Sequence, residues 1–204
     1  DHRDLHSFPT RRSSDLLLER SELTSGSTWH AAGGMHTLNS DPNVAKLQRY
    51  TIDLYQEIER ISGQSCGVHM TGGFMLADTP AWLDYLKVAQ GKGRVLGMER
   101  EFISIAEAKE LHPLINEKRF IGALYDPLEG HIDPSGVTHA YAKAARIGGA
   151  EIERFTRVVD LQPLSDGGWE VVTDKGGIKA EQVVNASALW PRALGRMVGL
   201  DLPL

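Results

Sequence analysis

Leu16 to Gly34 reads LLLERSELTSGSTWHAAGG. It opens as a short apolar run and reaches an acid, Glu19. It then crosses a loop of small and hydroxylated residues and ends on Trp29-His30-Ala31-Ala32-Gly33-Gly34. A short apolar strand with an acid at its end is how the second strand of a dinucleotide-binding fold presents itself. The carboxylate there accepts hydrogen bonds from the adenosine ribose. Ser25, Gly26, Ser27 and Thr28 follow it with hydroxyls and closely approachable backbone.

In such folds the acid lies about 20 residues after a G-x-G-x-x-G fingerprint. Counting back from Glu19 places that fingerprint at or before residue 1, and no G-x-G-x-x-G occurs in the chain. The first strand and the pyrophosphate loop are therefore expected to be missing. Residues 1–16 read DHRDLHSFPTRRSSDL, with no apolar h-region and no small-residue cleavage site, so they do not form a signal peptide. One back-translation of this segment resembles, codon for codon, a common short-read sequencing adapter. The expectation is that 1–16 is not native to the fold. A different codon set at Phe8 to Asp15 in the encoding DNA overturns it.

With 204 residues, the chain has room for one domain, or one domain carrying an insertion. Its 41% hydrophobic and 24% charged residues are those of a globular chain rather than a disordered one. A net charge of −5 argues against a nucleic-acid partner. No apolar run approaches the ~20 residues that span a bilayer, so no membrane partner is expected. Cys66 is the sole cysteine, which excludes an intrachain disulfide and favours an intracellular setting. The eight histidines are scattered without metal-ligand spacing, and no metal site is expected.

Punctuation along the chain sets the elements. Asp41 and Pro42, after the polar turn from Asn39, suit the cap and first position of a helix that Gly63 ends. Val44, Leu47, Leu54, Ile58 and Ile61 recur at three- and four-residue steps and are expected to form its buried face. Residues 65–76 read as strand with glycine bends. Thr79-Pro80 starts a second helix, with Trp82, Leu83 and Leu86 inward and Gly91 and Gly93 closing it. Phe102-Ile103 is extended. Ser104 and Glu107 form a capping box for a short helix ending near His112. Residues 120–125 read as strand.

From Gly130 the character changes. Asp133-Pro134 opens a helix with Val137, Ala140, Tyr141 and Ala144 on one face, ended by Gly148-Gly149. Strands are expected at 150–155 and 158–161. A meander follows through turns at Asp166-Gly167-Gly168 and Asp174-Lys175-Gly176-Gly177. A further apolar strand is expected at 182–186, and a helix at 194–198. The fold class is α/β with an α+β insertion. It is a truncated Rossmann-like domain lacking its first strand and glycine-rich loop, with a mixed-sheet substrate region inserted. The expected divisions are 1–16 non-native, 17–63 cofactor domain, 64–130 substrate-region insertion and 131–204 cofactor domain again.

ELTSGSTWHAAGG, DPNVAKLQRY, EGHIDPSGVTHAYAKAAR and VVNASALWPR occur in this order at natural spacings from Leu17 onward. Together they resemble the dimethylglycine and sarcosine dehydrogenases. These are FAD-dependent amine oxidoreductases of the D-amino-acid-oxidase-like superfamily. The resemblance implies that His30 carries the flavin covalently through its 8α-methyl group, which holds the ring and makes it a better hydride acceptor. It implies that Glu19 takes the adenosine ribose, with Arg20 beside it. Gly26, Ser27, Thr28, Trp29, Ala31, Ala32, Gly33 and Gly34 line the ring side of the loop, Val158 meets the adenine, and Trp190 closes over the cofactor. The family has Gly or Ala-Gly where this chain has Ser187-Ala188, so side chains stand where glycine permits close backbone approach.

The implied reaction oxidises the N-methyl group of dimethylglycine, sarcosine or a similar small N-methylated amino acid to an iminium. The product is formaldehyde, or methylene-tetrahydrofolate where a further folate-binding domain is present. Electrons pass to an electron-transfer flavoprotein or to oxygen. Family members are cytoplasmic in bacteria and mitochondrial in eukaryotes. Substrate-contacting and proton-handling groups are expected partly beyond residue 204, so no catalytic base is assigned; His69, His131 and His139 each read as structural. Two other outcomes stay open: a related amine oxidase with non-covalent FAD, and an inert fragment that binds no cofactor.

Overall fold

In chain order the elements are strand β1 (Leu16–Leu18), a 3-10 turn (Ser27–His30), β2 (Gly34–Met35), helix α1 (Pro42–Ser62) and β3 (Gly73–Ala77). They continue with α2 (Pro80–Val95), β4 (Glu101–Ile103), α3 (Ile105–Leu111), β5 (Gly122–Asp126), β6 (Gly130–His131) and α4 (Pro134–Ile147). The last are β7 (Glu151–Glu153), β8 (Val158–Pro163), β9 (Trp169–Thr173), β10 (Gly176–Ala180) and α5 (Pro191–Met197). This computed structural model describes residues 15–39, 41–165 and 167–203. Ser40, Asp166 and most of the 1–16 segment, named above, lie outside them. The fold is mixed α/β and has two compact units. One is Ser27–Ala144; the other joins the described residues up to Gly26 with those from Ala145 onward.

Within Ser27–Ala144, local sequence signals account for the helix ends. The Asp41 carboxylate accepts from the Asn43 and Val44 amides, Pro42 sits in the first turn, and Gly63 closes α1 at φ 63°. The α1 face differs from the one expected. Ala45, Ile52 and Ser62 are its buried residues, while Val44, Leu47 and Ile61 stay exposed. The reason is what lies against the helix. Tyr55 and Ile58 pack on Cys66, Val137 and Ala140, which draws α1 toward α4 and the 64–68 segment.

α2 also corrects the sequence reading. Gly91 and Gly93 do not end it; the helix continues to Val95, and Gly97 turns the chain at φ 71°. Gly93 serves close approach instead. A Cβ there would lie 2.7 Å from Arg100 Nη1 and 3.0 Å from the Met98 carbonyl oxygen. Trp82, expected inside, is 39% exposed, whereas Leu86 is fully buried. α3 carries the expected capping box, and the Ser104 hydrogen bonds hold the Glu107 carboxyl below its usual range.

β3, β5 and β4 form an antiparallel sheet with β5 central. Neighbouring residues of β5 point to opposite faces. Leu124 joins Ala77, Leu86 and Ala89 on one side; Ala123 joins Ala108 and Ile115 on the other. Each fully buried leucine contributes about 1.5–3 kcal/mol here. β3 and β5 start at Gly73 and Gly122, later than the strands read at 65 and 120.

Cys66 is wholly buried. Burial, then the nearby Glu59 carboxylate, pushes its thiol above the ordinary 9.0. Burial likewise raises the Tyr55 and Tyr141 phenols above 10.0. For a group whose folded pKa is raised, the folded state holds its proton longer, so stability is full below the unfolded pKa and falls as pH climbs through the folded value. Denaturant midpoints should therefore hold level from pH 6 to 8 and decline above about pH 9. Cys66→Ala should remove the earliest part of that decline. A flat profile to pH 11 in the wild-type chain would refute this assignment.

In the other unit, β1 pairs in parallel with β7, Leu17 opposite Ile152. The pairing begins at Leu16↔Glu151, and the Glu151 amide bonds the Asp15 carbonyl at 2.8 Å. β8, β9 and β10 make the expected meander, with an irregularity between Val158 and Asp160. The strand expected at 182–186 does not form among the described residues. Val183 and Val184 are exposed, the latter by 79%. A strand needs a partner edge for its backbone groups, and no described strand takes this segment as a neighbour. The Asn185 side chain instead organises a turn. Its amide donates to the Pro191 carbonyl, and its oxygen accepts from the Ser187 amide and hydroxyl.

Candidate functional site

Within Ser27–Ala144, the segment Ser27–His30 winds as a single 3-10 turn with no buried residue. Thr28 accepts from the Ala31 amide through its carbonyl at 3.2 Å. His30 is exposed and Trp29 is 71% exposed, so both rings stand in solvent. Ala31 and Ala32 are likewise exposed. The chain is gripped immediately afterwards. The Gly33 carbonyl accepts from the Ile132 amide at 2.9 Å, and β2 pairs with β6, Gly34 opposite His131. Gly33 has φ 77°, and a Cβ there would collide with the Ile132 carbonyl oxygen. Glycine is thus required twice over at this position, by backbone angle and by space.

Behind that grip lies a polar network that sequence reading missed. Arg100 is 4% exposed, Asp126 3% and Thr37 0%. Arg100 donates through Nε to Asp126 Oδ2 at 2.7 Å, through Nη1 to the Ala89 carbonyl at 3.2 Å, and through Nη2 to the Thr37 carbonyl at 2.8 Å. The Thr37 hydroxyl donates to the same Asp126 oxygen. The Thr37 amide donates to Glu129 Oε1 at 3.3 Å, and Glu129 Oε2 lies 3.2 Å from His36 Nδ1. A buried charge needs such pairing to be tolerated. The network fixes the segment just after Gly33-Gly34 onto β5 and the turn that follows it. His139 stands exposed on α4. His69 and His131 meet, with ring centroids 4.8 Å apart.

In the other unit, Glu19 follows β1 directly. Its amide donates to the Glu153 carbonyl, its carbonyl accepts from Thr156, and its carboxylate accepts from the Ser21 amide at 2.7 Å. The Arg20 guanidinium lies 4.7 Å from the Trp190 ring centroid, a cation–π contact that brings two of the expected residues together. Trp190 is 50% exposed and precedes α5. Gly26 is exposed, and a Cβ there would meet nothing. Val158 opens β8 opposite Thr173, half-buried.

Ala188 adopts φ 49°, in the left-handed region. That conformation costs a residue with a Cβ about 1–2 kcal/mol. Glycine removes this cost and gives back about 0.5–1 kcal/mol in unfolded-chain entropy. Ala188→Gly should thus stabilise the unit by about 0.5–1 kcal/mol in urea unfolding. A loss of stability would show that the methyl group packs usefully.

The family model described as FAD dependent oxidoreductase matches residues 11–204. The chain belongs to this family. Mouse mitochondrial dimethylglycine dehydrogenase is 40% identical over 189 residues, covering 93% of this chain and 22% of that protein. Human mitochondrial sarcosine dehydrogenase is 35% identical over 195 residues, covering 93% and 21%. The crystal structure of glycine oxidase from Geobacillus kaustophilus superposes with a TM-score of 0.80 at 30% identity, over 93% of this chain and 52% of that one. The expected likeness to dimethylglycine and sarcosine dehydrogenases is therefore found, and the α/β class with it. This chain spans about a fifth of those two relatives. No described helix is long and apolar enough to cross a membrane.

Proposed function

We propose that this chain is part of a flavin-dependent amine oxidoreductase of the dimethylglycine/sarcosine dehydrogenase type, with FAD held covalently by His30. The observation that carries the reading is the display of His30. Its imidazole sits on a solvent-facing 3-10 turn, and the following glycines are clamped by β6 and the Ile132 amide. A ring-attaching nucleophile needs this combination of an open approach and a fixed base. The carboxylate of Glu19 at the end of a parallel strand fits a ribose, and Arg20, Gly26, Val158 and Trp190 are its companions in this reading. Ser27, Thr28, Trp29, Ala31, Ala32, Gly33 and Gly34 serve the flavin ring.

When bound, FAD supplies the acceptor for a hydride equivalent from an N-methyl carbon, giving an iminium that hydrolyses to formaldehyde or is captured by tetrahydrofolate. His30 anchors the cofactor at one imidazole nitrogen. Trp29, beside it, offers a large apolar face that excludes water from the ring edge once covered. The substrate in this reading is a small N-methylated amino acid, and the acceptor an electron-transfer flavoprotein or oxygen. The functional division into 17–63, 64–130 and 131–204 belongs to the same proposal, as does a cytoplasmic or mitochondrial-matrix setting according to the host. Tryptic digestion of the full-length gene product tests it. A flavin-bearing peptide containing His30 is expected by mass spectrometry; a flavin found on another residue, or none on a yellow protein, refutes the covalent assignment.

A second reading has its own support. β1–β7 is a two-stranded sheet and Val184 is largely exposed. Such short pairings are marginal by themselves. On that reading the chain as it stands binds no flavin, and the purified protein is colourless.

A further inference from the structure

His69 and His131 lie far apart in sequence, and no local spacing ties them together. The fold places them directly opposite each other as an isolated antiparallel bridge. They exchange both backbone hydrogen bonds, His69 N–H to His131 O at 2.8 Å and His131 N–H to His69 O at 3.0 Å. Their rings lie side by side, centroids 4.8 Å apart and planes 23° from parallel. Both residues are exposed. The backbone beneath them has no slack, because a Cβ on Gly130 would collide with the His69 carbonyl oxygen.

We propose that His69 and His131 form a two-histidine clamp for a divalent transition-metal ion, with Cu2+ bound most tightly. Imidazole nitrogens bind such ions at about 2.0–2.1 Å, so two of them on one ion stand about 3 Å apart. Rings already 4.8 Å apart at their centroids reach that separation by rotating about χ2, a broad and soft torsion for histidine. The backbone pairing fixes the other degrees of freedom before the ion arrives, which lowers the entropy cost of chelation. Imidazole suits Cu2+, Ni2+ and Zn2+, and the Irving–Williams order puts Cu2+ first. No third histidine, cysteine or carboxylate completes a larger cluster among the described residues. Water fills the remaining positions, and the site stays open.

The clamp has a mechanical effect. His131 is opposite Gly34 in the β2–β6 pair as well as opposite His69. An ion held by both rings therefore staples the segment at His69 to β6, the strand on which the His30 loop is anchored. This inference does not depend on the flavin reading, since it requires only these two side chains and their backbone pairing.

The test is a titration of the full chain with CuCl2 at pH 7.4, followed by calorimetry. His69→Ala, His69→Gln and His131→Ala are run beside the wild type, with His112→Ala as a control on an unrelated exposed histidine. The strongest Cu2+ equivalent should weaken at least about tenfold in each His69 and His131 variant and remain in His112→Ala. Cu2+ or Zn2+ should also slow hydrogen exchange at the His69 and His131 amides. Equal affinity in the wild type and the folded His69 and His131 variants, checked by circular dichroism, overturns the proposal and places the ion on other groups. Binding without any change in exchange at those two amides overturns the stapling.

Discussion

His30→Ala in the full-length gene product is expected to abolish flavin fluorescence on a denaturing gel while leaving the protein yellow before denaturation. The loss should be complete, because a covalent bond has no partial substitute. Among the described residues no hydrogen bond or ion pair involves the imidazole. The 3-10 turn has no buried residue, and the grip on the loop is made by the backbone of Gly33, Gly34, His131 and Ile132. Alanine should therefore be tolerated structurally, with a change in stability within about 0.5 kcal/mol, as is usual for exposed positions. On the proposed covalent reading activity should fall as well, because loss of the bond would leave the ring a poorer hydride acceptor. Each tenfold loss in rate corresponds to about 1.4 kcal/mol in the barrier. A fluorescent band surviving in the alanine variant would move the attachment to another residue. A colourless protein with the wild-type residue present would remove flavin from this loop altogether.

Arg100→Met is expected to be the most damaging single substitution in the Ser27–Ala144 unit, at about 3–5 kcal/mol. The guanidinium and the Asp126 carboxylate have side chains only 3% and 4% exposed, and they meet at 2.7 Å. Removing the cation leaves the carboxylate buried with, among the described residues, the Thr37 hydroxyl and the Leu128 amide as its partners. It also strips donors from the Ala89 and Thr37 carbonyls. The pair itself need not be worth that much. Desolvation of both ions offsets most of their attraction, so a double change, Arg100→Met with Asp126→Leu, should recover a large part of the loss. Urea unfolding of the two singles and the double gives the coupling directly. A single-variant loss below about 1 kcal/mol would mean that water enters and solvates the orphaned carboxylate.

What could be read from the sequence was whatever a few neighbouring residues decide. Asp41, Pro42 and Gly63 bound α1, Ser104 and Glu107 cap α3, and the turn residues of the meander fall where the strands reverse. The acid after the LLL run also stands where expected, at the end of a parallel strand. The rest depends on distant partners. The inward face of α1 differs from the expected one because periodicity marks an apolar stripe without saying what covers it. Small Ala45 and Ile52 went in, and Leu47 stayed out. Residues 182–186 are apolar enough for a strand but have no pairing edge among the described residues. Gly93 reads locally as a stop, whereas in the fold it admits Arg100, and nothing near either residue announces the other. Thr37, Arg100 and Asp126 come from separate segments of the chain, and no local pattern ties them together. The two stacked histidines share that character.

The clamp on Gly33 and Gly34 also sets an order of events during synthesis. The groups that hold the His30 loop, from Arg100 to Ile132, leave the ribosome about sixty to a hundred residues after the loop itself. Contacts between such distant segments bear the full loop-closure cost and form late. While the intervening helices and the β3-β5-β4 sheet are unmade, the STWHAAGG stretch is an unanchored tether. Its imidazole then has no fixed direction. If His30 is the flavin anchor proposed above, attachment becomes a checkpoint: only a chain whose β3-β5-β4 sheet has closed presents the histidine, and misfolded copies go unmarked.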